Sequence, residues 1–75
     1  MRVPKAEQFA TLLRHARLTA GISQQVLAAR LKVEASSIST WERGHHPAAR
    51  QIPKLAKFLR ITADDLARKL MEERK

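Results

Sequence analysis

Apolar residues along this 75-residue chain recur three and four positions apart, and that spacing predicts helices throughout. Phe9, Leu12, Leu13 and Ala16 fall at i, i+3, i+4 and i+7, one stripe on a first helix over about residues 5–20, with Gly21 as its stop. Ser23 suits the N-cap of a second helix reaching about residue 30 or 31 and burying Leu27, Ala28 and Leu31. Ala28 is small enough to sit where two helices cross closely. A third helix is expected over residues 35–43, with Ile38 and Trp41 turned to the core and Gly44 ending it. After a loop over residues 45–51 that contains Pro47, Pro53 falls in the first turn of a fourth helix, residues 52–59, where its missing N–H costs nothing. Ile52, Leu55, Ala56 and Leu59 form its buried side. Thr62 caps a fifth helix, and Asp64 and Asp65 suit its positive end. Leu66, Leu70 and Met71 make its stripe, and residues 72–75 are expected to fray.

No strand alternation, repeat or low-complexity stretch interrupts the pattern. The expectation is therefore an all-α single domain over residues 1–75, with a short basic arm at residues 1–5. A domain this small buries only about 60% of its unfolded surface. Apolar residues at 44% suffice for such a core, and with Phe9, Trp41 and Phe58 the only aromatics, aliphatic side chains must fill most of it.

Charge changes the picture. Fifteen Lys and Arg against seven Asp and Glu give a net +8, which favours polyanionic partners, nucleic acid first. Charge alone leaves open that the basic surface serves solubility. The absence of cysteine excludes disulfides, thiolate zinc sites and a Cys nucleophile. No apolar run approaches the length of a membrane span, and residues 1–9 lack the apolar stretch of a signal peptide. A soluble cytoplasmic protein is the default expectation, with no membrane partner.

Residues 23–44 hold the most informative pattern: two short helices joined by a tight turn. On the third helix Ala35, Ser36, Ser39, Thr40 and Arg43 share the side opposite Ile38 and Trp41. Small hydrogen-bonding side chains let a helix backbone approach base edges in a major groove, and Ser or Thr can donate to or accept from them. An ordinary solvated face is the alternative, but four poor helix formers crowd this segment (Ser36, Ser37, Ser39, Thr40), so something other than propensity selected them.

The ordered set Leu13, Arg17, Gly21, Ser23-Gln24, Leu27-Ala28, Leu31, Val33, Ile38-Ser39, Trp41-Glu42-Arg43-Gly44, Ile52-Pro53, Leu55-Ala56 and Leu66 resembles the lambda-repressor/Cro, or XRE, type of helix-turn-helix domain over about residues 9–67. The resemblance implies a compact five-helix DNA-binding domain whose helix-turn-helix is formed by helices two and three. It implies base reading by Ala35, Ser36, Ser39 and Thr40, and backbone contacts by Gln24, Arg43, His45 and Arg50. Arg17 and Glu42 match a pair that joins the first and third helices and orients the recognition helix. One departure stands out: Lys32 occupies the turn position that usually carries a left-handed Gly, at a cost on the order of 1 kcal/mol.

Other chemistry finds little support. His15, His45 and His46 lack the clustered partners of a metal site, although the adjacent pair could touch phosphate. Asp64 and Asp65 read as helix capping rather than acid–base groups. No catalytic residue, cofactor, metal or small-molecule substrate is expected. Arg2 and Lys5 either follow a DNA backbone or are simply solvated, Arg14 carries no assignment of its own, and Arg68 and Lys69 are expected to face solvent.

The expected function is sequence-specific binding of double-stranded DNA by a transcriptional regulator, a repressor acting as a homodimer on a palindromic operator. A phage or plasmid regulator, a restriction–modification controller and a toxin-neutralising antitoxin all fit. The dimer surface is expected near Leu59, Ile61, Ala63, Leu66 and Leu70, unless these pack solely within the monomer. The alternative function is a protein-interaction module on the same fold, a coactivator bridge or a toxin-binding partner.

Overall fold

The computed structural model of the chain describes residues 8–73. They form α1 (Phe9–Thr19), α2 (Gln24–Leu31), α3 (Ala35–Glu42), a 3-10 turn (Ala49–Gln51), α4 (Ile52–Leu59) and α5 (Ala63–Glu73), with no strand among the described residues. The helix α2 packs chiefly on α3, while α1 lies against α3 and α4, and α4 packs on α5.

The caps expected from sequence are made. The Ser23 hydroxyl accepts from the Val26 N–H at 3.1 Å, and the Thr62 hydroxyl accepts from the Asp65 N–H at 3.0 Å. Each satisfies one amide that the first turn of a helix leaves without an internal partner. At the other ends a single device recurs four times. Gly21, Lys32, Gly44 and Arg60 all hold positive φ, at 71°, 58°, 112° and 61°. In each case the N–H of the next residue donates to the carbonyl five positions earlier: Ile22 to Arg17, Val33 to Ala28, His45 to Thr40 and Ile61 to Ala56. This closure satisfies an orphan carbonyl and reverses the chain at once. Ile22, Val33 and Ile61 are then delivered onto the core, which they half enter. The turn between α2 and α3 thus keeps its left-handed geometry with Lys32 in it.

The core consists of Phe9, Leu13, Leu27, Ala28, Leu31, Ile38, Trp41, Leu55, Ala56, Leu66 and Leu70, drawn from all five helices. Trp41 is buried and therefore packs rather than stacking on bases. Ile52 and Leu59 are only half-buried at its edge.

Several expectations need correction. Gln8 is extended, so α1 begins at Phe9 and not near residue 5. Residues 72 and 73 continue α5 rather than fraying, because the Glu73 carboxylate is anchored: it accepts the Phe9 N–H at 2.7 Å and meets His46 Nε2 at 3.1 Å. A carboxylate at the positive end of α1 is favourable there, and it holds the first turn in place of a local cap. Lys69 lies 3.8 Å from the same carboxylate with its side chain largely covered, so it does not face open solvent. Leu66 and Leu70 are buried inside the monomer and are unavailable to a dimer surface, whereas Met71 points outward. The arm at residues 1–5, with Arg2 and Lys5, lies outside the described residues, as do residues 74 and 75.

Candidate nucleic-acid interface

The face of α3 opposite Ile38 and Trp41 is set by the helical repeat and held by a network at its C-terminal end. Arg17, near the end of α1, donates through Nε to Glu42 Oε2 at 2.7 Å and through Nη2 to Glu42 Oε1 at 3.1 Å. Its Nη1 donates to the Ile22 carbonyl at 3.0 Å, and Gln24 Nε2, in the first turn of α2, donates to Glu42 Oε1 at 3.0 Å. One carboxylate on α3 is thereby tied to α1 and α2. The fork-to-fork contact fixes direction as well as distance.

Only 12% of the Arg17 side chain and 6% of the Glu42 side chain remain exposed. Burial pushes the Glu42 carboxyl up, but the hydrogen bonds from Arg17 and Gln24 and the charges of Arg17 and Arg14 outweigh it, holding the group below its ordinary value. The hydrogen bond to Glu42 raises the Arg17 pKa against the opposing effect of burial. Both groups are charged at neutral pH. A covered pair of this kind contributes orientation more than net stability.

On the α3 face itself, Ser36 is exposed and Ser39 and Thr40 are half-exposed. None of their hydroxyls takes part in a side-chain hydrogen bond among the described residues, so their donors and acceptors are unspent. Ala35 is partly packed against the core and offers only its outer edge. Arg43 and His45 follow directly and are exposed, and Arg50 is exposed on the 3-10 turn. Gln24 is half-buried through its contact with Glu42.

Ser39, Gln24, Arg17, Glu42 and Arg43 line one open cleft of about 200 Å³ together with Arg14. No role for Arg14 is legible in the sequence alone. It stands three residues before Arg17, hence on the same side of α1, and that spacing was the available signal. His46 departs from the suggestion that both loop histidines could touch phosphate. Its ring meets Glu73 and stands edge-on to Phe9, with centroids 6.5 Å apart, so it points inward and leaves His45 alone at the surface.

Among the described residues no group of His, Asp or Glu could hold a metal ion, and no helix is long and apolar enough to cross a membrane. No curated protein and no solved structure matches the chain. A family model described as a helix-turn-helix domain matches residues 8–69, from the extended residue before α1 to the middle of α5. With two short helices joined at a left-handed Lys32, and with the second braced through Glu42, the chain belongs to the helix-turn-helix domain family.

Proposed function

We propose that this protein is a sequence-specific double-stranded DNA-binding transcriptional regulator, a repressor that works as a homodimer on a palindromic operator. The observation that carries the reading is the α3 face: unspent hydroxyls of Ser36, Ser39 and Thr40 beside the exposed side chains of Arg43 and His45, on a helix held in place by Arg17, Gln24 and Glu42. The helix α3 enters the major groove, and α2 crosses the backbone. Lysines and arginines displace counterions and provide most of the affinity. The hydroxyls and the outer edge of Ala35 discriminate among bases, while Gln24, Arg43, His45 and Arg50 hold the phosphates.

Dimensions support the dimeric reading. Eight residues of α3 span about 12 Å, which covers only a few base pairs. The described chain extends 29 × 25 × 20 Å, less than the roughly 34 Å between successive half-sites on one face of the duplex. Two copies are needed to read two half-sites. Ala63, exposed, and Leu59 and Ile61, half-buried, are what remains of the expected contact region once Leu66 and Leu70 are assigned to the core.

Selection of bound sequences from random duplexes tests the reading. Enrichment of an inverted repeat whose halves lie one helical turn apart is the expected result. Recovery of no preferred sequence would end the claim of specificity. Steep loss of binding as salt rises separates this function from a protein-interaction module held by apolar contacts.

A further inference from the structure

The cleft beside α3 has three walls. Arg14 and Arg17 come from α1, Gln24 from α2, and Ser39, Glu42 and Arg43 from α3 and its C-terminal end. Its charges divide sharply. Arg17 spends Nε, Nη1 and Nη2 on Glu42 and the Ile22 carbonyl, and both Glu42 oxygens are occupied by Arg17 and Gln24. That pair is neutral and structurally committed. Arg14 and Arg43 are exposed and have no ion-pair partner among the described residues. Two positive charges therefore line the cleft uncompensated. The second amide proton of Gln24 is also uncommitted there, since only one bond from Nε2 is made.

We propose that this cleft is the seat of a single DNA phosphate, gripped jointly by Arg14 from α1 and Arg43 from the end of α3, with Gln24 donating from the third wall. The proposal rests on the DNA-binding reading above and adds to it Arg14 and the sharing of one phosphate. Two guanidiniums and an amide are the donor set that suits a tetrahedral monoanion with two free oxygens. Its position selects a nucleic-acid strand over a free anion, because Ser39 belongs both to the cleft wall and to the base-facing strip. A ligand that fills one while covering the other must present phosphate and base edges in succession. Glu42 engages Arg17 through both oxygens, leaving Arg14 and Arg43 as the two arms.

The test uses the full chain and the duplex it selects from a random pool. Dissociation constants are measured across a salt series for the wild type, Arg14→Gln, Arg43→Gln, the double variant, and Arg68→Gln as a charge control on the outer side of α5. Arg14→Gln should weaken binding roughly tenfold at low salt, the scale of one charge-assisted hydrogen bond. Because one phosphate is shared, the double variant should reduce the log–log salt slope by only about 0.9. A reduction of about 1.8 would mean two separate phosphates and would overturn the shared seat. So would an unchanged affinity and slope for Arg14→Gln, or an equal effect from Arg68→Gln. Methylphosphonates placed at each phosphate in turn give a second measurement that needs no folded variant for its first half. One position per half-site should weaken the wild type and leave the double variant indifferent; no such position, again, overturns the seat. If the wild type selects no duplex at all, the DNA-binding reading fails and this proposal falls with it, an outcome distinct from failure of the variants.

Discussion

Glu42 holds Arg17 by both oxygens, at 2.7 and 3.1 Å, and Gln24 joins it at 3.0 Å, so α3 is fastened to two other helices through one side chain. Replacing Glu42 with Ala strands a largely covered guanidinium. A loss of about 3 kcal/mol in stability is expected, with weaker DNA binding beyond it. A thermal melt that matched the wild type would remove the bracing role.

The same carboxyl makes stability depend on acid. Its pKa in the folded chain lies below the ordinary 4.5, so its contribution is fully present above that value and disappears as pH falls through the lower folded value. Glu42→Gln should flatten the acid limb of a stability–pH curve while leaving the neutral-to-basic limb parallel to wild type. An identical acid limb in the two proteins would contradict this.

For base reading, Ser36→Ala and Thr40→Ala should each relax preference at one position of each half-site, by about 1–3 kcal/mol of discrimination. Total affinity for random duplexes should hardly change, since phosphates supply it. Both variants retaining the full preference in a randomised selection would show that the reading face lies elsewhere.

The left-handed helix ends give a backbone test. Lys32 at φ 58° bears the strain of a Cβ that glycine lacks, so Lys32→Gly should raise stability by up to about 1 kcal/mol, less the entropy glycine adds to the unfolded chain. Gly44 sits at φ 112°, and open space surrounds the place where its Cβ would be, so any cost of Gly44→Ala is conformational and should reach about 1–2 kcal/mol. Denaturant melts that placed Lys32→Gly below wild type would refute the strain assignment.

Glu73→Ala should cost about 1–2 kcal/mol, because it leaves the Phe9 amide and the His46 ring without their shared acceptor. Faster amide exchange confined to the first turn of α1 and the segment after α3 is the expected signature. Uniform exchange rates, with no local loosening, would show the contact to be incidental.

Local chemistry made much of this architecture legible from sequence. Ser23 and Thr62 announce helix starts, Pro53 marks an early turn, and the spacing of Leu55, Ala56 and Leu59 sets α4, because each acts within a few residues of itself. The hydroxyl strip is legible for the same reason. Arg60 escaped notice as a left-handed end since no glycine flags it; the bond from Ile61 to Ala56 and the packing of Ile61 impose that conformation from outside. His46 with Glu73 could not be read because the two lie 27 positions apart and meet only after α5 folds back. Pairing of Arg17 with Glu42, 25 positions apart, likewise has no local signature and came only through a resemblance. Arg14 was hidden differently: its meaning depends on which neighbouring charges are already neutralised.

Residue 73 touching residue 9 has a practical corollary for handling the polypeptide. Fusion partners attached before α1 or after α5 would emerge from one corner of the molecule, and a brief linker there could close the backbone into a ring. New chain ends could then be opened elsewhere, at an exposed bend, with the exposed face of α3 left untouched.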